Sequence, residues 1–209
     1  MPYVWVSTCI LLTSLATSVQ SASLTILLTD ELNQPVADAV VELIASKPSM
    51  PAEPGLGTIA QQDLTFVPFV SAFMVGSYIE FPNRDKTRHN VYSFSPAKTF
   101  ETKLYAGQQE APIEFDKPGI VTIGCNIHDY MQAYVYIGSS PLLAVSDSEG
   151  KINFSDLAFD TYQLNRWHPW QKNVHDSLSV IVDRDSNVVL SMAIQPQQKP
   201  TAPKRGFGN

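Results

Sequence analysis

The chain has 209 residues, 16% of them charged and 44% hydrophobic, the balance of a folded globular protein and not of a disordered one. Its formal net charge of −6 excludes general nucleic-acid binding, which needs a basic face to displace counterions from phosphates. Length alone allows one large domain or two small ones.

Residues 1–22 contain no Asp, Glu, Lys, Arg or His, residues 4–15 are largely apolar, and small residues follow at Ser18, Ser21 and Ala22. The pattern predicts a secretory signal over 1–22, cleaved after Ser21 or Ala22, and a periplasmic mature protein, although the usual cation before the apolar run is missing. A retained membrane anchor is the alternative, but that run falls short of the ~20 residues that span a bilayer, and no membrane attachment is expected after cleavage. Cleavage removes Cys9 and leaves Cys125 as the one cysteine of the mature chain. A lone thiol in an oxidising compartment needs burial or a metal.

Residues 23–28 (SLTILL) and 39–44 (AVVELI) are apolar, β-branched runs, and the turn residues from Asp30 to Pro35 between them predict a hairpin. The Pro- and Gly-rich stretch 47–57 is a loop. Short strands are then expected at 65–67, 77–81, 91–94, 100–105, 112–115, 120–123 and 133–137, punctuated by Gly76, Asn83, Gly107 and Gly119. The segments 77–81 and 133–137 alternate with the period of two that buries one face, and no segment sustains a helical period. Beyond Pro141 come strands at 142–145, 151–154, 162–167, 177–182 and 188–194, with a turn at 147–150. The polar, Pro-rich tail 196–209 has little to bury and is expected to be disordered. The fold class read from this order is all-β, a sandwich.

Two words carry chemistry: Arg88-His89-Asn90-Val91, and the run from Gly124 to Met131, which contains Cys125, His128 and Met131. Cys-x-x-His-x-x-Met offers a thiolate, an imidazole and a thioether, a set too soft for Mg²⁺ or Ca²⁺ and poor for structural zinc. A second imidazole completes two His, one Cys and a weak axial Met, the ligand set of a blue-copper electron-transfer site. His89, 36 residues before Cys125, supplies it if the two loops meet at one end of a sandwich. The expected cofactor is one copper ion per chain, cycling between Cu⁺ and Cu²⁺ and held by His89, Cys125, His128 and Met131.

Residues 59–140 resemble the plastocyanin/amicyanin branch of the cupredoxins, on His89-Asn90-Val91, Phe81-x-Asn83, Phe115-x-x-Pro118-Gly119 and the short loop after Cys125. The resemblance implies a Greek-key β-sandwich, with His89, Cys125 and His128 around copper and the Met131 sulfur axial. It also implies that Asn90 ties the ligand loops together and that His128 is the electron port. The loop carries Asn126, Ile127 and Asp129 where amicyanins have prolines. The whole chain is similar to bacterial periplasmic proteins labelled methylamine-utilisation or plastocyanin-like. Those combine such a motif with a later stretch that reads here Asp147-Ser-Glu-Gly150 and then Tyr162-Gln-Leu-Asn-Arg-Trp167-His168-Pro169. Residues 23–46 and 141–195 resemble the two halves of a small transthyretin-like or carboxypeptidase-regulatory sandwich. The copper domain is therefore expected as an insertion within it.

Each candidate has a plainer reading. Cys125 could be a core thiol and Met131 ordinary core, His168 and His175 packed histidines, and the basic run Arg84, Lys86, Arg88 a solvated loop or a steering patch for an acidic partner. The expected function is a monomeric periplasmic electron carrier that meets a redox protein, a cytochrome c or a periplasmic dehydrogenase or oxidase, near His128. The alternative is a copper storage or delivery protein. Catalysis is not expected: four histidines cannot build a further copper cluster, one mature cysteine cannot build a dinuclear site, and no nucleophilic triad or phosphate loop is present.

Overall fold

The structure is a computed structural model that describes residues 20–47, 52–108, 111–195 and 197–202. Residues 1–19 of the expected leader lie outside the described residues. Ser21 and Ala22, placed at its end by the sequence pattern, open the first strand, where Ala22 is buried in a core.

Among the described residues there are seventeen strands and no helix. In chain order they are β1 (Ser21–Thr29), β2 (Val40–Ala45), β3 (Leu56–Thr58), β4 (Ala60–Gln62), β5 (Thr65–Val67), β6 (Val70–Met74), β7 (Tyr78–Glu80), β8 (Tyr92–Ser95) and β9 (Lys98–Glu101). They continue as β10 (Ile113–Glu114), β11 (Gly119–Cys125), β12 (His128–Gly138), β13 (Leu142–Val145), β14 (Lys151–Ala158), β15 (Asp160–Trp167), β16 (Leu178–Val182) and β17 (Ser186–Ser191). The protein is all-β.

Two hydrophobic cores divide these strands. The central core is built from Ile59, Phe66, Ile79, Phe81, Val91, Phe115, Val121, Ile123, Cys125, Met131, Ala133, Val135 and Ile137. The five-stranded sheet β6-β12-β11-β8-β9 covers one side, and the smaller sheets β10-β7-β3 and β4-β5 complete it. Alternation along β12 does the sorting, because successive side chains in a strand point to opposite faces. Met131, Ala133, Val135 and Ile137 point into the core, while Gln132, Tyr134 and Tyr136 share the other face.

The other core draws on both ends of the chain, from Ala22 to Leu43 and from Ile152 to Met192. It lies between the sheets β14-β1-β17 and β13-β2-β15-β16. β1 pairs with β14 antiparallel and with β17 parallel. β2 lies between β13 and β15.

The hairpin predicted over 23–44 is therefore not formed. Pairing starts at the Thr29–Pro35 bridge and stops there. Ser146 then takes the chain away: its Oγ accepts from the Ala39 amide at 2.9 Å and donates to the Val36 carbonyl at 2.7 Å. Asp38, at φ 60°, makes the corner, and β2 crosses to the opposite sheet. Burying the apolar faces of β1 and β2 against each other outweighs extending a two-stranded ribbon, which is marginal in water.

The cores are joined through a buried carboxylate. Glu42 of β2 accepts from Tyr136 Oη of β12 at 2.8 Å, from the Ser139 amide at 2.7 Å and from the Ser140 amide at 3.0 Å. Burial alone would raise its pKa, but the hydrogen bonds from Tyr136, Ser140, Asn165 and Ser139 outweigh that and hold it below the ordinary carboxylate range. Trp167 packs against the rings of Tyr134 and Tyr136 at 6.0 and 6.2 Å between centroids, on the same seam. Lys199, in the tail expected to be disordered, pairs with Asp38 and lies 5.7 Å over the Phe69 ring. An ion pair and an aromatic face thus anchor a segment with little apolar surface of its own to bury.

Candidate metal centre

β11 ends at Cys125 and β12 begins at His128, and the two residues are cross-strand partners. The stretch between the two donors is therefore a hairpin with Asn126-Ile127 at its tip. The preceding Gly124 is required locally, since a Cβ there would come 2.8 Å from the Tyr92 ring lying across it. His89 arrives from another direction, on a two-residue ladder in which its amide donates to the Tyr105 carbonyl at 3.1 Å and its carbonyl accepts from the Tyr105 amide at 2.9 Å.

These elements bring three donors to one point. Cys125 Sγ lies 3.8 Å from His89 Nδ1 and 3.9 Å from His128 Nδ1, and all three donor atoms are within 4.8 Å of one another. The rings of His89 and His128 are 4.9 Å apart between centroids. His89 is fully buried and Cys125 is 2% exposed, whereas His128 is half-buried. Burial pushes the His128 pKa down, the neighbouring His89 adds to that, and Asp85 opposes it.

The spacing fits a metal. Bonds of about 2.0–2.1 Å to nitrogen and about 2.3 Å to sulfur, opened to the angle of a trigonal plane, place nitrogen and sulfur about 3.8 Å apart. Two imidazoles and one thiolate are the donor chemistry of copper in that geometry. Met131, the fourth expected ligand, is on the inner face of β12, 1% exposed and in the same core cluster as Cys125.

The surrounding hydrogen bonds hold the donors in place. Asn90 Oδ1 accepts from the Asn126 amide at 2.9 Å, which ties the His89 segment to the hairpin tip, and Asn126 Nδ2 donates to Glu101 Oε1 at 2.6 Å. Tyr105 sits beneath: its hydroxyl donates to the Phe81 carbonyl and accepts from Gln61 Nε2. Burial pushes its pKa up to about 12, with the Gln61 contact opposing and Cys125 adding to the rise.

Asp85 is the residue that sequence reasoning missed. Its Oδ2 lies 3.0 Å from His89 Nε2. Its one signal in the sequence is its place four residues before a candidate ligand, within a run whose basic residues Arg84, Lys86 and Arg88 read as a solvated loop. Those three are exposed. The histidines of the C-terminal run do not join the centre. His168 donates from Nε2 to the Ala37 carbonyl at 3.2 Å and accepts from the Trp170 amide on Nδ1 at 3.1 Å, so both nitrogens are spent. His175 packs against Arg166 at 3.3 Å.

Fold and donor set together define the class: an all-β protein with a two-imidazole, one-thiolate site suited to copper. No protein-family profile and no curated protein matches the chain. Solved structures similar to it include copper proteins. A purple cupredoxin from Nitrosopumilus maritimus is 17% identical over 39% of this chain and 99% of its own, at a TM-score of 0.36. A variant of amicyanin with Cu(I) is 15% identical over 47% of this chain and 98% of its own, also at 0.36. The copper-containing nitrite reductase of Thermus scotoductus SA-01 is 26% identical over 56% of this chain at a TM-score of 0.38, and the chain spans only 28% of that enzyme's length.

Proposed function

We propose that this chain is an exported, monomeric type 1 copper protein that passes single electrons between redox proteins, in which His89, Cys125 and His128 would hold one copper and Met131 would be the fourth donor. The observation that carries the reading is the convergence of one sulfur and two ring nitrogens at 3.8 and 3.9 Å from separate parts of the chain. Copper bound there supplies one-electron chemistry.

The protein's own residues do the rest. Cys125 binds as thiolate, its proton being lost when a metal takes the sulfur. His89 and Cys125, both buried, fix two donor positions on the rigid framework of β11 and the His89–Tyr105 ladder. The Asn90–Asn126 hydrogen bond keeps the hairpin tip in register with that framework. Donors held this way move little when charge changes, which keeps the reorganisation accompanying an electron small. His128 is the partly exposed member of the set, and Ile127 beside it is 48% exposed. That apolar edge suits brief docking of a cytochrome c or of a periplasmic dehydrogenase or oxidase.

The test is to load the mature protein with copper and record its visible and EPR spectra. An intense thiolate-to-copper band with a reversible potential is expected, and Cys125→Ser abolishes the band altogether. A colourless protein that takes only Cu(I) overturns electron transfer in favour of copper storage or delivery.

A further inference from the structure

Asp85 is a hub. Its Oδ1 accepts from the Asp63 amide at 2.8 Å and its Oδ2 from the Leu64 amide at 3.0 Å, while Oδ2 also lies 3.0 Å from His89 Nε2. The aspartate is itself set by the Asn83 side chain, which accepts from the Asp85 amide at 2.9 Å. Asn83 Nδ2 in turn donates to the carbonyls of Thr87 and Tyr105, both at 2.9 Å. The Asp63-Leu64 turn that offers two amides to one carboxylate has both residues at positive φ, 54° and 58°. Two non-glycine residues side by side in this region carry a backbone cost, and the paired amide contacts with Asp85 are what the turn gains.

We infer that Asp85 is a positioning residue for the metal centre, which fixes the tautomer and the ring plane of His89 so that the Nδ1 lone pair faces Cys125. A carboxylate is an acceptor only, so the His89 nitrogen beside Asp85 carries the proton and the other ring nitrogen does not. His89 is fully buried, and its ring has no solvent to turn toward. The Asp85 side chain is 14% exposed, so its charge acts on the imidazole through little water. A carboxylate that accepts from a ligand imidazole makes the ring a stronger donor. This favours the more oxidised metal and lowers the reduction potential. The inference deepens the copper reading and rests on it for that last consequence, but the tautomer stands without any metal.

Asp85→Asn is the informative change because it keeps shape and volume. Each of the two Asp85 oxygens faces at least one N–H donor, so an amide group must set its own N–H groups against either the Asp63 amide or the Leu64–His89 pair. The metal-free wild type is labelled with ¹⁵N and the His89 ring is read by NMR. A proton on Nε2 is expected, and a proton on Nδ1 overturns the inference whether or not the protein takes copper. The copper-loaded proteins are then compared. Asp85→Asn is expected to weaken copper binding about 10- to 100-fold and to raise the potential, with Asp85→Glu, which keeps the carboxylate, lying between it and the wild type. A folded Asp85→Asn protein with the wild-type tautomer, affinity and potential shows that the aspartate serves the Asp63-Leu64 turn alone. Should the wild type show no thiolate band, the copper reading falls while the NMR arm still decides the role of Asp85.

Discussion

His89 and His168 are both buried histidines, at 0% and 2% exposure, one in each half of the molecule, and they end in opposite chemical states. His168 spends both ring nitrogens on neighbours, the Ala37 carbonyl and the Trp170 amide. His89 spends one on Asp85 and turns the other to a thiol 3.8 Å away. A buried polar group without a partner costs on the order of 1–3 kcal/mol. The His168 environment has removed that cost with protein atoms. Around His89, the second nitrogen meets only the Cys125 sulfur, a weak hydrogen-bond partner. What distinguishes a candidate ligand from a packed histidine is therefore the partner that its second nitrogen faces, with burial alike in both.

Exchanging the two histidines for residues that cannot ligate breaks this contrast most sharply. His89→Gly is expected to abolish the visible band of the copper-loaded protein, and added imidazole should restore colour by entering the space the ring leaves. A His89→Gly protein with an unchanged spectrum would remove His89 from the ligand set. Next in size is the seam between the halves. Glu42→Gln sets amide hydrogens against the Ser139 and Ser140 amides or the Tyr136 hydroxyl and removes a buried, hydrogen-bonded charge. A loss of about 3 kcal/mol is expected by chemical denaturation. Because Glu42 titrates below its ordinary range in the folded state, its contribution is complete above the unfolded value near 4.5 and disappears as pH falls through the lowered folded value. The variant and the wild type should therefore converge in stability toward acid pH. Curves that stay parallel would show that the carboxylate charge does not hold the seam.

The sequence was most legible where the residue type itself is scarce. Cys125, His128 and His89 were recognisable because a thiolate and imidazoles at that spacing have few other uses, and the alternating run 133–137 gave the inward face of β12 directly. Elements whose partners are remote in sequence were not legible. β6 carries a short, mostly apolar run, Val70–Met74, and becomes a strand because it lies parallel to β12 more than sixty residues away. The turn at Asp30–Pro35 was readable, but the departure of β2 into another sheet depends on Ser146, and no local pattern encodes that contact. Asp85 was hidden for the same reason. Its role needs the Asp63-Leu64 turn and the His89 ring in one place, and a loop carrying three cations reads as solvated.

The smallest effect expected is the most diagnostic for the plainer of the two histidines. Burial pushes the His168 pKa down. The Ala37 carbonyl and Asp38 oppose that shift, and Lys199 adds to it. The folded protein therefore holds this ring neutral at pH values where the unfolded chain, near 6.5, binds a proton. The stabilisation is complete above about pH 6.5 and falls as pH drops toward the folded value, with a slope no steeper than about 1.4 kcal/mol per pH unit for one group. His168→Gln cannot titrate. Its stability difference from the wild type, measured by denaturation, should be about 1–2 kcal/mol at pH 7.5 and should shrink between pH 6.5 and 5. Copper stoichiometry and spectrum should not change. A difference that stays flat with pH, or a spectrum that moves, would make His168 something other than a packed neutral ring and would erase the contrast with His89.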